Sequence, residues 1–276
     1  MNASTSVEPD DESATAEPAT DVSREELDLR RRLLGEPLTA KAKLWGWIGP
    51  LIVTVLAGFL RLWDLGRPHQ LVFDETYYVK QGWSMIEYGF EMKPTPAVQD
   101  AKAADSLFTM GHWQQGVYGN EADFVVHPPL GKWVIGAGEW LFGIDNSIGW
   151  RFAICLLGTI AIYLTGRAAW HLFRSALLAT VAEILMAVEG MEFVLSRTAI
   201  LDIMVMFWAL AAFVAILADR DRTRRLLAHK VATLKNDGTW DGDDKIGQRL
   251  RLGGPSLGLR PWRWVAAVCL GLGMAT

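Results

Sequence analysis

The sequence predicts an all-α polytopic membrane protein, and two features of the chain favour that class. Residues 44–63 are apolar almost throughout, with Arg61 near their end, and they match the ~20 residues that a helix needs to cross the hydrocarbon core of a bilayer. The 276-residue chain is also 51% hydrophobic, contains 13 Trp and has a mean hydropathy of +0.16. Apolar runs of this length are typical of an integral membrane protein rather than a soluble domain.

Further apolar segments divide the chain into predicted spans. The predicted spans are residues 44–63, 148–169, 175–188 and 198–218, and residues 264–276 begin a fifth. The last segment is too short to cross a bilayer, because a spanning helix needs ~17–25 residues. We therefore interpret the sequence as the N-terminal part of a longer membrane protein, truncated in its fifth transmembrane helix, and we expect it to lack activity by itself.

The distribution of charge predicts how the chain is oriented. Basic residues precede the first predicted span, and Lys and Arg outnumber acids in the loop of residues 219–263. By the positive-inside rule both segments are cytoplasmic. The polar tail of residues 1–43 is then cytoplasmic as well, and its first 21 residues are expected to be disordered because they have little to bury. The acidic segment of residues 64–147 faces the other side of the membrane.

Two adjacent acids, Asp74 and Glu75, follow the first span. Residues 75–88 are predicted to form an amphipathic helix that lies on the bilayer surface, with Lys80 and Ser84 on its polar face. Asp74 falls at the N-cap of this helix, so a plain capping role is an alternative to a chemical one.

A second short element begins after the sequence His127-Pro128-Pro129. Residues 130–142 are apolar but too few to span a bilayer, and they include Glu139, so we interpret them as an interfacial or re-entrant helix. Pro is common at the start of a helix and carries no chemical meaning by itself.

The sequence offers little for redox or metal chemistry. Cys155 and Cys269 lie within apolar runs and are predicted to be small buried side chains rather than a disulfide. No cluster of Cys and His has the spacing of a metal site. We predict no metal and no cofactor, with a divalent cation left open, and we expect no nucleic-acid partner.

Ionisable residues from distant parts of the chain gather at the extracytoplasmic membrane face in this topology. The candidates are Arg61, Asp74, Glu75, His127, Lys132, Arg151, Arg197 and Asp202. A carboxylate can act as a general base, and Arg and Lys bind phosphate, so the set is typical of a site that binds a phosphorylated lipid and deprotonates a hydroxyl. One alternative is snorkelling of Arg61 and Arg197 at the span ends. Another is that Glu189, Glu192, Arg197 and Asp202 pair with one another to satisfy buried charge.

Four motifs also occur in the order found in one enzyme family. They are Arg61-Leu62-Trp63-Asp64-Leu65 with Val72-Phe73-Asp74-Glu75, His127-Pro128-Pro129-Leu130-Gly131-Lys132, Gly149-Trp150-Arg151-Phe152, and Ser196-Arg197-Thr198-Ala199-Ile200-Leu201-Asp202. Together they resemble the protein O-mannosyltransferases of glycosyltransferase family 39, in a bacterial form. Residues 264–274 are similar to the start of the next block of that family.

The resemblance implies a GT-C fold enzyme that moves mannose from polyprenyl-phosphate-mannose to Ser or Thr hydroxyls of secreted proteins, with inversion of the anomeric centre. It implies that Asp74 is the base, that Glu75 supports or orients Asp74, and that Arg151 holds the donor phosphate. The remaining pocket residues would be His127, Lys132, Arg61, Arg197 and Asp202. It further implies a multi-pass protein of the cell membrane with a cytoplasmic N-terminus, an extracytoplasmic active site, contact with membrane lipid and the secretion translocon as a candidate partner.

Two other functions stay open at this point. A related transferase that moves another sugar from a polyprenyl carrier to a lipid or glycan would use the same acids and Arg residues. A transporter or structural membrane subunit also contains intramembrane charges, but paired inverted repeats or broken helices would be expected, and this stretch shows none. Binding of a polyprenyl phosphate would discriminate between these classes.

Overall fold

A computed structural model of the protein describes residues 24–95 and 101–276, and this part of the chain is helical apart from a two-stranded sheet. The elements in chain order are α1 (Arg24–Leu34), α2 (Ala40–Leu62), α3 (Glu75–Tyr88), β1 (Met92–Pro94), α4 (Ala101–Thr109), β2 (Tyr118–Ala122), α5 (Leu130–Phe142), α6 (Ser147–Phe173), α7 (Ala176–Val188), α8 (Gly190–Leu195), α9 (Asp202–Asn236), α10 (Lys245–Gly253) and α11 (Pro261–Met274). The segment of residues 1–21, predicted to be disordered, lies outside the described residues.

Three described helices are long and apolar enough to cross a membrane, namely α2, α6 and α9, with 23, 27 and 35 residues. From Leu44 onward the exposed side chains of α2 are apolar, and Leu51, Val55 and Phe59 are each 56–62% exposed, as expected where a helix contacts lipid. The predicted class, an all-α polytopic membrane protein, is confirmed.

The shorter helix α7 lies in the predicted span of residues 175–188. With 13 residues it is about 20 Å long, less than a bilayer core is thick. It packs along α2 and α6, and Thr180 of α7 faces Gly49 of α2. Its outward side chains Leu177 and Val188 are more than 70% exposed. The crossing of the membrane by this segment stays a prediction.

Helix α9 differs in extent from the predicted span of residues 198–218. It begins at Asp202 and continues to Asn236, through the first part of the segment predicted as a cytoplasmic loop. The residues before it, 196–201, form turns and extended backbone. Asp202, which we expected one helical turn inside a span, is therefore the first residue of the helix.

Helix α3 has the predicted limits, but the prediction that its polar face is exposed is wrong. Lys80 and Ser84, assigned to a polar outer face, are buried, because each meets a partner from a later part of the chain. The Lys80 ammonium contacts the Asp105 carboxylate at 2.6 Å, and the Ser84 hydroxyl accepts a hydrogen bond from the Met92 amide at 3.2 Å. Both faces of α3 are thus used in packing.

Helices α3 and α5 approach closely because glycines face each other. A Cβ atom on Gly82 would lie 2.8 Å from the Lys132 carbonyl oxygen and 3.0 Å from the Gly136 amide nitrogen. On the other side of α5, a Cβ atom on Gly138 would meet the Gly149 carbonyl oxygen of α6. Small residues at these crossings let backbones touch. The three helices therefore form a tight layer beneath the candidate site.

The main hydrophobic core lies where this layer meets the start of α9. It contains Val79, Phe108, Val117, Ile135, Trp150, Ile154, Ala199, Leu201, Ile203 and Met204. These residues come from α3, α4, α5, α6, α9 and the loops before β2 and α9, so the core fixes the segments that carry the predicted site residues. Strand β1 pairs antiparallel with β2, with Met92 opposite Ala122.

The chain divides into two compact units. One unit comprises Met1–Gly35 and Arg225–Pro255, and its described part holds α1, the end of α9 and α10. Within it the Lys235 ammonium donates a 2.7 Å hydrogen bond to the Glu25 carboxylate. The other unit comprises Glu36–Arg224 and Ser256–Thr276 and contains every predicted site residue.

Candidate active site

Asp74 presents a carboxylate that is partly exposed at the start of α3. The residue occupies the N-cap position, but its side chain makes no capping hydrogen bond. The first turn is closed by the backbone instead, because the amides of Tyr77 and Tyr78 donate to the Asp74 carbonyl at 3.0 and 3.1 Å. The plain capping alternative for this side chain is therefore wrong. Among the described residues, none forms a hydrogen bond or an ion pair with the Asp74 carboxylate.

Tyr78 lies beside Asp74, one turn along the helix. Burial raises the pKa of the Tyr78 hydroxyl, and the nearby carboxylates of Asp74 and Asp202 raise this pKa further. The His127 ring contacts the Tyr78 ring edge-on, with 5.6 Å between the ring centroids. We call these four residues the Tyr78 cluster. It unites three predicted site residues from separate parts of the chain around a tyrosine.

Glu75 points away from the solvent and is fully buried. Its Oε1 accepts hydrogen bonds from Arg151 Nε at 2.8 Å and from the Ala199 amide at 2.7 Å. Its Oε2 accepts from Arg151 Nη2 at 2.8 Å and from the Val72 amide at 2.9 Å. The carboxylate therefore joins the segment before α3 to α6 and to the segment before α9.

Arg151 is 1% exposed and uses its whole guanidinium group in this network. Besides the two bonds to Glu75, Nη1 donates to the carbonyls of Leu65 and Pro68 at 3.3 and 2.9 Å, and Nη2 donates to the Gln70 carbonyl at 3.0 Å. A guanidinium has five N–H donors, and each of these has an acceptor. The predicted contact with a donor phosphate stays a prediction, and this geometry favours a positioning role.

Two further predicted cations are also paired within the protein. Arg61 is fully buried, forms an ion pair with Glu192 and donates to the Ala187 carbonyl at 3.1 Å. Lys132 is fully buried and contacts Glu91 at 2.7 Å. Neither side chain reaches the surface near Asp74. The snorkelling alternative for Arg61 is wrong, since its head group is buried, and no hydrogen bond or ion pair joins Arg61 to the Tyr78 cluster within the described residues. Lys132 does contact this cluster, because its ammonium donates a 3.2 Å hydrogen bond to the His127 backbone carbonyl.

Arg197 is partly exposed and lines a cleft of about 370 Å³. The lining residues are Arg67, Pro68, Gln70, Val72, Arg151, Phe193, Val194, Arg197 and Thr198. We call this space the Arg197 cleft. Polar side chains and apolar side chains both face it, so it suits a ligand with an anionic group attached to an apolar chain.

Sequence reasoning missed several residues of this region. The candidate residues named from the sequence do not include Tyr78, Arg67 or Thr198. Glu91 was one acid among many in the loop, with no local signal of its buried contact with Lys132. The motif spacing alone could have drawn attention to Thr198, since it lies between two selected residues, Arg197 and Asp202. Within residues 24–95 and 101–276, no group of three or more His, Cys, Asp or Glu side chains is placed to hold a metal ion.

These features define a helical membrane protein in which the Tyr78 cluster, with two carboxylates, lies in the same unit as a cleft lined by Arg side chains. The sequence profile described as "Dolichyl-phosphate-mannose-protein mannosyltransferase" matches residues 51–235. The chain belongs to this family of GT-C glycosyltransferases, which confirms the family predicted from the motifs.

Relatives from several bacteria agree with that assignment. The chain is 36% identical over 234 residues to a polyprenol-phosphate-mannose–protein mannosyltransferase of Mycolicibacterium smegmatis (strain MKD8), covering 84% of this chain and 38% of the relative. It is 34% identical over 242 residues to a protein of the same name from Mycobacterium tuberculosis (strain CDC 1551 / Oshkosh), covering 85% and 38%. The chain thus spans about two fifths of the length of these relatives. No solved structure matches.

Proposed function

We propose that the protein transfers mannose from polyprenyl-phosphate-mannose to Ser or Thr hydroxyls of proteins. Family membership and the names of the relatives support the donor and the type of acceptor. The observation that carries the proposal is the contrast between two neighbouring acids. Glu75 is buried in four hydrogen bonds, whereas Asp74 is accessible and forms no hydrogen bond within the described residues.

Asp74 is the general base in this proposal. A Ser or Thr hydroxyl is a weak nucleophile until a base accepts its proton. As Asp74 takes the proton, the hydroxyl oxygen forms a bond to C1 of mannose from the side opposite the phosphate. The bond between C1 and the phosphate oxygen breaks, and its electron pair remains on the phosphate. Attack from the opposite side inverts the anomeric centre.

Glu75 and Arg151 position the base. The ion pair fixes the backbone on both sides of Asp74, through the Val72 amide before it and the start of α3 after it. Arg151 also holds the carbonyls of residues 65, 68 and 70. A base must be held within hydrogen-bond reach of its proton, and a rigid support reduces the cost of reaching that geometry.

The residues beside Asp74 would surround the acceptor hydroxyl and the sugar. Tyr78 has a raised pKa, so its hydroxyl stays protonated and can donate a hydrogen bond to the Asp74 carboxylate or to the sugar. His127 and Asp202 border the same space, and we assign them to substrate binding. We propose no resident cofactor or metal, with charge on the phosphate balanced by Arg side chains.

The cellular setting is part of the proposal. The protein would lie in the plasma membrane with its N-terminus in the cytoplasm and Asp74 on the far side. The excess of Lys and Arg before the first span and in residues 219–263 supports this orientation. Acceptors would be secreted proteins that emerge on that side. The secretion translocon is a proposed partner, because it would deliver unfolded Ser- and Thr-containing segments.

The test uses membranes that carry the intact protein. Polyprenyl-phosphate-mannose, the corresponding glucose donor, a Ser/Thr-rich peptide and a glycolipid acceptor are offered in all combinations. The proposal expects mannose on the peptide and little transfer in the other combinations. Transfer of another sugar, or transfer to the lipid alone, would replace the proposal with the related-transferase alternative, and binding of donor without any transfer would favour a non-enzymatic role.

A further inference from the structure

Helix α10 carries positive charge that the protein itself does not neutralise. Its nine residues include Lys245, Arg249 and Arg251 and no acid. Lys245 and Arg249 are exposed, and within the part of the chain that the structure describes neither forms an ion pair with a carboxylate. Arg251 lies 3.9 Å from the carboxylate of Asp243, which is fully exposed, so this pair is weak. The charge of α10 is therefore available to a partner.

The acids of α1, which belongs to the same compact unit, already have basic partners. Their contacts are Glu25 with Lys235 at 2.7 Å, Glu26 with Arg30 at 2.6 Å, and Asp28 with Arg32 at 3.0 Å. The Asp244 carboxylate serves α10 in another way, since it accepts a 2.7 Å hydrogen bond from the Gly247 amide and caps the helix. Acids are thus used at the start of α10, whereas its later turns carry only cations.

Apolar side chains are exposed on the same side of α10 as these cations. Gly247 is buried, and a Cβ atom on it would overlap the Gly242 carbonyl oxygen, so this side of the helix packs on the preceding turn. Ile246, Arg249 and Leu252 follow one another at three-residue spacing, which places them on the opposite side. Ile246 and Leu252 are 59% and 92% exposed. Water is an unfavourable environment for this apolar surface.

The chain that follows α10 keeps this helix within reach of a membrane. Seven residues, 254–260, precede α11, and a fully extended chain of that length spans at most about 25 Å. Helix α11 is apolar and begins the predicted fifth span, and its first turn contains Trp262 and Trp264, which are 41% and 68% exposed. Trp residues at the start of an apolar helix are typical of the boundary between lipid headgroups and water.

We infer that α10 lies on the membrane surface and binds the headgroups of anionic phospholipids. Lys245 and Arg249 contact the phosphates, and their long side chains let the charge stay at headgroup level. Ile246 and Leu252 enter the outer part of the acyl region, as in other helices that lie in the interface. A lipid surface fits better than a protein, because a helix about 14 Å long offers far less area than a stable protein interface needs. The inference is independent of mannose transfer.

The experiment measures how close α10 lies to lipid in nanodiscs that hold the purified chain. A fluorophore is attached at Gly253→Cys, where no atom lies within 4 Å of an added Cβ, and Cys155 and Cys269 are replaced by Ala. Quenching by nitroxide-labelled phosphatidylcholine is compared in phosphatidylcholine alone and in its mixture with phosphatidylglycerol. We expect the anionic lipid to increase quenching about two-fold or more. Salt at about 0.5 M should abolish this increase, because it screens the charges.

Paired variants identify the groups that bind. Lys245→Gln with Arg249→Gln should return quenching to the level in phosphatidylcholine alone, since each charge strengthens binding to an anionic surface roughly five-fold. Lys41→Gln with Lys43→Gln is the matched control, because it removes the same charge from exposed positions of α2 and should leave quenching unchanged.

An apolar pair of substitutions tests insertion separately. Ile246→Ser with Leu252→Ser keeps every charge of α10 and should reduce quenching, because the side chains that enter the lipid are lost. Thermal unfolding of each variant is recorded to confirm that it is folded.

Three results would overturn the inference. Quenching that is equal with and without phosphatidylglycerol would show that anionic lipid is not recognised, and a probe shielded from water in both would show that protein covers this face. An equal loss of quenching in the control pair at Lys41 and Lys43 would show a response to total charge alone. The third result is equal quenching of a probe at Asp237→Cys, an exposed position of the same unit, because the fluorophore itself would then enter the lipid.

Discussion

Arg151 and Glu75 form a buried ion pair with two parallel hydrogen bonds, from Nε to Oε1 and from Nη2 to Oε2, both 2.8 Å long. The two residues are 1% and 0% exposed, and neither has a free hydrogen-bonding position toward the surface. The pair is therefore part of the framework of the site, and the reacting groups lie beside it.

Removal of either partner is predicted to destabilise the protein. Glu75→Gln leaves the Arg151 charge buried without a counter-charge, a change that typically costs about 3–5 kcal/mol. We expect a clear fall in unfolding temperature, measured in detergent, and loss of mannose transfer by the intact protein. Glu87→Gln, an exposed acid at the other end of the same helix, is the control and should behave as wild type. An unchanged unfolding temperature in Glu75→Gln would contradict the framework role.

The close approach of α3 and α5 predicts intolerance to one added methyl group. In Gly82→Ala the new Cβ atom would meet backbone atoms of Lys132 and Gly136 at 2.8 and 3.0 Å, and backbone cannot turn aside as a side chain can. Overpacking of this kind costs about 1–3 kcal/mol. Gly271→Ala is the control, because no atom lies within 4 Å of its added Cβ. Equal unfolding temperatures for the two variants would show that the helices separate freely.

The position of Asp74 beside Tyr78 predicts a change in tyrosine ionisation. Burial disfavours the tyrosinate most, and the negative charges of Asp74 and Asp202 disfavour it further, so the pKa of Tyr78 lies above its ordinary value of 10.0. Asp74→Asn removes one of these charges and should lower this pKa toward the ordinary value. Ultraviolet absorbance is followed against pH, and the Tyr78 signal is isolated by subtraction of the same titration in Tyr78→Phe. A Tyr78 pKa that is the same with and without the Asp74 charge would contradict the arrangement of the Tyr78 cluster.

Burial of Glu139 predicts a dependence of stability on pH. Neither carboxylate oxygen of Glu139 has a hydrogen-bond partner among the described residues, and burial raises its pKa well above 4.5. The folded protein then keeps a proton that the unfolded chain releases, so stability is greatest at low pH and falls as pH rises above the ordinary pKa. The slope is at most about 1.4 kcal/mol per pH unit.

Glu139→Gln should remove this contribution. We expect the variant to unfold at a higher temperature than wild type at about pH 8, with a smaller difference at about pH 4, where a carboxyl with the ordinary pKa of 4.5 is largely protonated in the unfolded chain. Glu87→Gln is again the control, since that side chain is exposed. A variant whose advantage over wild type is the same at both pH values would show that Glu139 is ionised in the folded protein.

Much of the architecture could be predicted from local patterns. The limits of α3 and α6 follow from apolar periodicity and from residues that end helices, such as Gly89, which has a φ of 83° after α3. The burial of Lys80 and Ser84 could not be predicted in this way. Their partners, Asp105 and Met92, belong to a loop whose path depends on tertiary packing.

Some members of the candidate site could be predicted, namely Asp74, Glu75, His127, Arg151, Arg197 and Asp202, but their contacts could not. Acids and cations at the ends of apolar segments are visible in the sequence. The sequence does not show which acid neutralises which cation, because the paired residues lie far apart in the chain. Arg151 and Glu75 are 76 positions apart, and Arg61 and Glu192 are 131 positions apart. Once those pairs are known, Arg197 is distinguished from the other cations by the lack of an acidic partner within the described residues.

The most direct test of the proposed mechanism is the rate of mannose transfer by the intact protein with Asp74→Asn, compared with Asp74→Glu and wild type. Asn keeps the size of the side chain and removes the base, so we predict a fall in rate of about 100-fold or more, with unchanged unfolding temperature. Asp74→Glu should retain part of the rate, because it retains a carboxylate. Transfer by Asp74→Asn at the wild-type rate would contradict the assignment of Asp74 as the base.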